Sequence, residues 1–197
     1  MYIFTSFGFR APIVREKLEG LLDTRDKSVL VLPFAGFNTE SCAENEKNGL
    51  VTFGFDAENV FICAGREAFA RKYDYIYLPG GYTFKLLSAM QSLNIMEALR
   101  QAVIGGATYI GASAGAEVAS SDLEYVKLFE DNDYSCTDFI GLSLVDEVII
   151  PHSDQHRVSE EMHAFLGDAR RRGFLMIPND GVILYELTEG GCDIKFI

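Results

Sequence analysis

The sequence is poor in cysteine, in basic residues and in long apolar runs, and each shortage excludes a class of protein. Its four cysteines, at positions 42, 63, 136 and 192, form no C-x-x-C pair, so neither a zinc knuckle nor a thioredoxin-type motif is present. No stretch approaches the roughly 18 uninterrupted apolar residues of a membrane helix, and the N-terminus lacks the basic start and apolar run of a signal peptide. We therefore expect a cytoplasmic protein with reduced thiols, no cofactor and no bound metal.

The charge balance excludes two kinds of partner. The 17 Lys and Arg residues against 29 Asp and Glu give a net charge of −12, which would repel a phosphate backbone or an anionic membrane. We therefore expect neither nucleic-acid nor membrane binding, although a local basic pocket remains compatible with this charge. At 197 residues, of which 48% are hydrophobic and 23% charged, the chain is typical of one globular domain spanning residues 1–197.

Short apolar runs alternate with stretches of helical periodicity along the chain. This alternation predicts an α/β fold with a doubly wound, mainly parallel sheet and helices on both faces. Strands are predicted at 2–7, 28–34, 60–63, 74–78, the run ending at 110, 143–150, 174–177 and 181–187, with 192–197 as an edge strand. Helices are predicted at 13–22, 38–50, 64–72, 83–103, after residue 113 and at 159–172. In such folds the carboxyl ends of strands carry the functional loops, here after Leu78, Ile110 and Ile150.

The segment 111–115, GASAG, matches the G-x-S-x-G pattern of a nucleophile elbow and lies between a predicted strand and a predicted helix. Flanking glycines let the backbone turn sharply, so that the Ser113 hydroxyl projects from the sheet and the amide of Ala114 can donate to a developing oxyanion. The same small residues would also suit a strand-to-helix turn that only needs close packing. The position of the segment at a strand end favours the catalytic interpretation.

A second glycine-rich turn, Pro79-Gly80-Gly81, follows a different predicted strand. Backbone without side chains can approach a ligand closely and present its amides to an anion. We expect the amide of Gly81 to be a second oxyanion donor, although a double glycine also occurs in ordinary turns.

A serine nucleophile needs a base, and the chain has three histidines. His152 follows a predicted strand at the same edge of the sheet as Ser113 and is the preferred base. His156 is the second choice, and His163 falls within a predicted helix. A histidine at this rim that is only capped by backbone remains the structural alternative.

The base in turn needs an orienting partner, which is usually a carboxylate. Asp180 lies between two apolar runs and suits this role, although an Asp-Gly turn explains the same residue equally well. Other acids between Ser113 and His152, among them Asp131 and Asp133, belong to an acidic, turn-rich segment that needs no catalytic explanation.

Three ordered segments together resemble a known family. LPGGYTFKLL at 78–87, YIGASAGAEV at 109–118 and IIPHSDQHR at 149–157 are similar to the serine peptidases of family S51, which include peptidase E and cyanophycinase. The resemblance implies a class I glutamine-amidotransferase-like, flavodoxin-like α/β fold. It also implies hydrolysis of an amide bond in a small peptide through an acyl-enzyme, without a cofactor.

The resemblance also implies roles for individual residues. Ser113 would be the nucleophile, His152 the general base, and Gly81 and Ala114 the oxyanion donors. The acidic member of the family comes late in the chain, which points to Asp180 in the PNDG turn. An acid after the nucleophile helix, Asp131 or Asp133, is the competing assignment.

Two departures from the family pattern concern the substrate. Relatives that cleave after an N-terminal aspartate have Gly-Gly-Asn where this chain has Tyr82 after Gly81, and SDQHR follows the proline–histidine pair in place of an aromatic-led run. Tyr82 and Arg157 are the candidate substrate-binding residues: Arg157 could pair with a substrate carboxylate, or instead cap the next helix.

The same departures leave a second class of function open. A domain that binds or senses a small ligand without hydrolysing it would keep the pocket and lose efficient catalysis. Amidotransferase-type thiol chemistry is disfavoured because the elbow holds serine. The expected partner is a small peptide substrate, and a homodimer is compatible with the sequence.

Overall fold

The computed structural model describes residues 1–155, 164 and 173–197. Its strands are β1 (Tyr2–Thr5), β2 (Val29–Val31), β3 (Val60–Ile62), β4 (Tyr75–Leu78), β5 (Thr108–Ala112), β6 (Val148–Ile150), β7 (Phe174–Met176), β8 (Val182–Thr188) and β9 (Gly191–Phe196). Its α-helices are α1 (Pro12–Glu19), α2 (Thr39–Phe53), α3 (Thr83–Ser92), α4 (Met96–Ile104) and α5 (Ala114–Glu117). Short 3₁₀ turns lie at Gly8–Arg10, Pro33–Ala35, Ala57–Asn59, Arg66–Ala70 and Glu124–Leu128.

Seven strands form one sheet in the order β3-β2-β4-β5-β1-β8-β9. The first five strands of this order pair in parallel, and β8 and β9 extend the sheet by antiparallel pairing. Strands β6 and β7 form a separate parallel pair. The sheet is thus mainly parallel, as the alternation of apolar runs and helical periodicity predicts.

Alternate residues of the strands pack against helices on opposite faces of the sheet. In β2, Val29 and Val31 belong to the apolar cluster that also contains buried residues of α1 and α2. Leu30 between them belongs to a second cluster, with buried residues of α3, α4 and α5. Strands covered on both faces read as continuous apolar runs, and this arrangement confirms the predicted doubly wound α/β fold.

The sheet topology brings several strand ends to one place. Leu78 at the end of β4 is in register with Gly111 of β5, and Thr5 at the end of β1 is in register with Ala112. The end of β6 joins them because the His152 amide donates to the hydroxyl of Ser6, which follows β1. The loops after β1, β4, β5 and β6 therefore meet at one edge.

Several element boundaries differ from the sequence expectation. The helix predicted over 83–103 is divided into α3 and α4, and Asn94 between them has φ 52°. Asn tolerates this left-handed conformation, while the apolar periodicity continues across the break because Ile95 is also buried. The helix expected at 38–50 continues through Gly49 and ends at Phe53, where Gly54 with φ 131° caps it.

Three further predictions concern shorter elements. The strand expected at 143–150 covers only β6 and pairs with β7 outside the main sheet, while the helix expected at 64–72 is a 3₁₀ turn. The expected edge strand at 192–197 is present as β9. The helix predicted at 159–172 lies outside the described residues apart from position 164. Among the described helices, none has both the length and the apolar character that a membrane crossing requires.

Candidate active site

Ser113 occupies the tight turn between β5 and α5. Its φ of 49° and ψ of −115° are rarely adopted by residues other than glycine, and such conformations typically cost about 1–3 kcal/mol. The turn is held by β1, because the Ser113 amide donates to the carbonyl of Thr5 over 2.9 Å. The Ser113 side chain makes no capping bond to α5, so its hydroxyl is available to the loops at this edge.

The two glycines of the elbow are required by packing. A Cβ on Gly115 would lie 1.9 Å from the carbonyl oxygen of Leu78, and a Cβ on Gly111 would lie 2.4 Å from that of Gly115. Helix α5 therefore lies directly on the ends of β4 and β5. Close packing explains the glycines, whereas the strained conformation of Ser113 between them needs a separate explanation.

His152 follows β6 and faces this serine. Its Nε2 lies 3.1 Å from Ser113 Oγ, a hydrogen-bonding distance. The His152 amide donates to Ser6 Oγ over 2.9 Å, and the Ser6 hydroxyl donates to the carbonyl of Ile177 over 3.0 Å. The ring of Phe7 meets the imidazole edge to face, with the ring centroids 4.7 Å apart. These contacts fix the position of the imidazole.

The second ring nitrogen of His152 meets an amide, not the expected carboxylate. Asn179 Oδ1 lies 2.8 Å from Nδ1 of His152. An oxygen can only accept here, so Nδ1 carries the proton and Nε2 presents its lone pair to Ser113. The backbone N–H of Asn179 donates to Asp154 Oδ2 over 2.9 Å, which holds the turn in place.

Asp180, the predicted acidic partner, lies one residue further along the same turn. The Gly181 amide donates to the Pro178 carbonyl over 2.9 Å and closes this turn, of which Asn179 and Asp180 are the two central residues. The side chain of Asn179 is the one that contacts the imidazole. The carbonyl of Asp180 accepts a hydrogen bond from Lys17 Nζ. The structure thus brings Asn179, in place of Asp180, to the imidazole.

The alternative acids Asp131 and Asp133 are exposed and are not among the residues that line the pocket beside Ser113. Tyr82 is 42% exposed, and its ring lies 5.8 Å from that of Tyr134, outside the pocket lining. Arg157, together with His156 and His163, lies outside the described residues.

Both expected oxyanion donors lie beside the serine. A Cβ on Gly80 would lie 3.1 Å from Ser113 Cβ, which shows how closely the glycine turn approaches the elbow. Gly81 has φ 149° and lines the pocket together with Ser113 and His152. Within the described part of the chain, neither the Gly81 N–H nor the Ala114 N–H donates a hydrogen bond, so both are free to donate to an oxyanion. Helix α5 is a single turn, so a helix dipole contributes little at this position.

The pocket beside Ser113 contains two carboxylates that the sequence predictions did not include. Glu117 is one helical turn after Ser113, is only 8% exposed, and accepts a hydrogen bond from the Thr83 hydroxyl. Burial, with a smaller contribution from the charge of Glu130, raises the pKa of Glu117 to about 7. An acid among the small residues of GASAGAEV was the signal in the sequence that could have indicated it.

Glu130 reaches the same pocket from the loop after the 3₁₀ turn at Glu124–Leu128. Its two carboxylate oxygens accept from the amides of Thr83 and Phe84 over 2.8 and 2.9 Å, so it caps the start of α3. Within the described residues, no group of three or more His, Cys, Asp or Glu side chains is arranged to hold a metal ion.

Comparisons with known proteins show which family this chain resembles. The model of peptidase family S51 matches residues 6–190. Peptidase E of Haemophilus influenzae is 29% identical over 177 residues, which cover 86% of this chain and 77% of that protein. A Drosophila melanogaster protein named as a probable alpha-aspartyl dipeptidase is 29% identical over 143 residues, covering 70% of this chain and 58% of that one.

A solved structure shows the same fold. The crystal structure of a Listeria monocytogenes EGD-e protein assigned to peptidase E superposes with a TM-score of 0.74 at 21% identity, covering 100% of this chain and 98% of that one. The predicted class I glutamine-amidotransferase-like fold is confirmed by this match. Together with the family match, which confirms the prediction of a serine-type peptidase, these relatives establish that the chain belongs to peptidase family S51.

Proposed function

We propose that the protein hydrolyses an amide bond of a small peptide with Ser113 as nucleophile, through an acyl-enzyme. The observation that carries this proposal is the aligned contact series from Ser113 Oγ to His152 Nε2 and from His152 Nδ1 to Asn179 Oδ1. Nucleophile, base and orienting group lie within hydrogen-bond reach of one another, which is the arrangement that activates a serine hydroxyl.

Acylation follows from these positions. Nε2 of His152 takes the hydroxyl proton as Ser113 Oγ attacks the carbonyl carbon, and the carbonyl π electrons move to the oxygen. The amides of Gly81 and Ala114 donate to that oxyanion. When the intermediate collapses, the C–N bond breaks and the imidazolium gives its proton to the leaving amine. Water, deprotonated by His152, then attacks the ester carbonyl. The bond between the carbonyl carbon and Ser113 Oγ breaks, the imidazolium returns its proton to Oγ, and the acid product leaves.

Asn179 keeps part of the function of an acid in this series. Its oxygen holds the imidazole in the tautomer that can accept the serine proton, as the Asn of Cys-His-Asn peptidases does. An amide carries no charge, so it stabilises the imidazolium less than a carboxylate would. We therefore expect a slower enzyme than one with an acid at this position.

The test is labelling with a fluorophosphonate probe, which requires an activated serine. We expect one adduct, at Ser113, and its loss in Ser113→Ala together with loss of hydrolysis across a dipeptide library. Absence of the adduct on the folded wild type would instead favour the small-ligand binding or sensing function. Full hydrolysis by Ser113→Ala would overturn the assignment of the nucleophile.

A matched pair of neighbouring variants tests the orienting residue. Asn179→Ala should lower kcat on the order of a hundredfold or more, because the imidazole loses its fixed tautomer, whereas Asp180→Ala should stay within about threefold of the wild type. A larger loss of kcat in Asp180→Ala than in Asn179→Ala would show that Asp180 orients the imidazole.

Compartment and assembly are also part of the proposal. The four cysteines are free thiols, and the three most buried of them, Cys42, Cys63 and Cys136, have pKa values raised by burial, which suits a reducing cytoplasm. A small peptide is the proposed substrate. We retain a homodimer as the proposed assembly, to be checked by light scattering.

A further inference from the structure

Glu117 is a buried carboxylate with an unused acceptor. Its Oε2 accepts the hydroxyl of Thr83, while within the described residues its Oε1 makes no hydrogen bond. The side chain is more than nine-tenths buried and lines the pocket beside Ser113. An ionised carboxylate in such a position is costly unless a donor or cation meets it.

The described chain supplies no such cation. Neither Lys nor Arg is among the described residues that line this pocket. Lys85, on the adjacent helix α3, donates to the carbonyls of Gly36 and Phe37. Glu130 adds a second negative charge to the pocket, and its own oxygens are occupied by the amides at the start of α3. The free oxygen of Glu117 is thus the acceptor offered to a ligand.

The remaining walls of the pocket are apolar. Val126, Phe129, Ile150 and Pro151 line it together with the nucleophile and the base. Its volume of about 140 Å³ is small against the roughly 300–1,000 Å³ of drug-sized sites, so it holds one side chain. A pocket that combines apolar walls with a carboxylate complements a side chain with an aliphatic stem and a cationic end.

Building on the proposed hydrolase function, we propose that Glu117 is a specificity-determining residue that binds the cationic end of a lysine-like side chain on the acyl side of the scissile bond. The aliphatic stem contacts the apolar walls, and the ammonium donates to Oε1. An aspartyl side chain in the same place would put a third carboxylate beside Glu117 and Glu130. The preferred substrate is therefore a short peptide with a basic residue on the acyl side of the scissile bond.

The experiment compares kcat/KM for dipeptide amides that differ only in the first residue: lysine, norleucine or aspartate. The wild type should prefer lysine to norleucine by about tenfold or more, since a charged hydrogen bond contributes that much, and should cleave the aspartyl substrate slowest. Equal values for lysine and norleucine, or a preference for aspartate, would overturn the proposal without help from any variant.

Glu117→Gln then tests the residue itself. The ratio of lysine to norleucine in kcat/KM should fall by about tenfold, whereas Glu189→Gln, which removes the same charge from an exposed position, should keep the wild-type ratio. An unchanged ratio in folded Glu117→Gln, checked by circular dichroism, refutes the assignment.

Binding separates this proposal from the proposed chemistry. Calorimetric titration of Ser113→Ala with lysinamide and norleucinamide needs no catalysis, and lysinamide should bind about tenfold or more tightly. If the fluorophosphonate probe fails to label Ser113 in the wild type but lysinamide still binds more tightly than norleucinamide, the hydrolase proposal fails and the pocket assignment stands. If the probe labels Ser113 and the two amides bind equally, the assignment to Glu117 fails alone.

Discussion

Ser113 and His152 share an unusual property, since both have positive φ, 49° and 54°, although neither is glycine. Two consecutive residues at the end of β1 hold both conformations: the carbonyl of Thr5 accepts the Ser113 amide, and the Ser6 hydroxyl accepts the His152 amide. Strained residues of this kind persist where the surrounding structure fixes them, and they concentrate at functional sites. The end of β1 thus positions both of the proposed reacting groups.

The buried acid Glu117 predicts a pH dependence of stability. Its pKa is raised to about 7 in the folded protein, from an ordinary value of 4.5. Between these values the folded state binds more protons than the unfolded state, so stability is lost as pH rises from about 4.5 through 7 and stays reduced above. The full loss is on the order of 3 kcal/mol.

Glu117→Gln removes this dependence and should gain stability relative to the wild type as pH rises. Urea unfolding of both proteins at about pH 5 and pH 8 gives the difference in their free energies of unfolding at each pH. Glu130 and His152, which line the same pocket, are present in both proteins. A difference that stays constant between the two pH values would show that Glu117 titrates normally.

At the scale of elements, the residues that could be assigned from the sequence are those placed by a strong local pattern. The strand–serine–helix pattern placed Ser113, and the end of an apolar strand placed His152. Asn179 could not be distinguished from Asp180, because two adjacent turn residues have the same local pattern and only the closed turn decides which side chain meets the imidazole. Glu117 could not be predicted because its significance depends on its burial against α3 and the loop that carries Glu130.

Helix α5 provides a test of how tightly these elements are packed. Gly115→Ala places a methyl group 1.9 Å from the carbonyl oxygen of Leu78, so the helix or β4 must move, and the protein should lose about 1–3 kcal/mol or more. The shift should also reduce probe labelling of Ser113. Gly49→Ala, inside α2 with no atom within 4 Å of the new Cβ, should instead gain about 0.5–1 kcal/mol. Urea midpoints compare the two, and similar midpoints would contradict this account of the elbow.

At the scale of the whole molecule, alternating apolar runs were sufficient to predict the doubly wound sheet, because buried parallel strands leave this pattern in any sequence. The order of the strands was not predictable. Strand β1 pairs with both β5 and β8, which are far away in the chain, and no local signal encodes such pairings. The separation of β6 and β7 from the main sheet is a tertiary outcome of the same kind.

The net charge of −12 predicts a salt dependence that belongs to the entire surface. A negative field raises the local concentration of cationic peptides and lowers that of acidic ones, and salt screens it as the Debye length falls from about 30 Å at 0.01 M to about 3 Å at 1 M. Across this range, the lysine-to-norleucine ratio of kcat/KM should fall several-fold and the aspartate-to-norleucine ratio should rise. Because the effect arises from the surface, Glu117→Gln should show the same salt slope at a lower ratio. A ratio that is independent of salt in both proteins would mean that substrate selection takes place in the pocket alone.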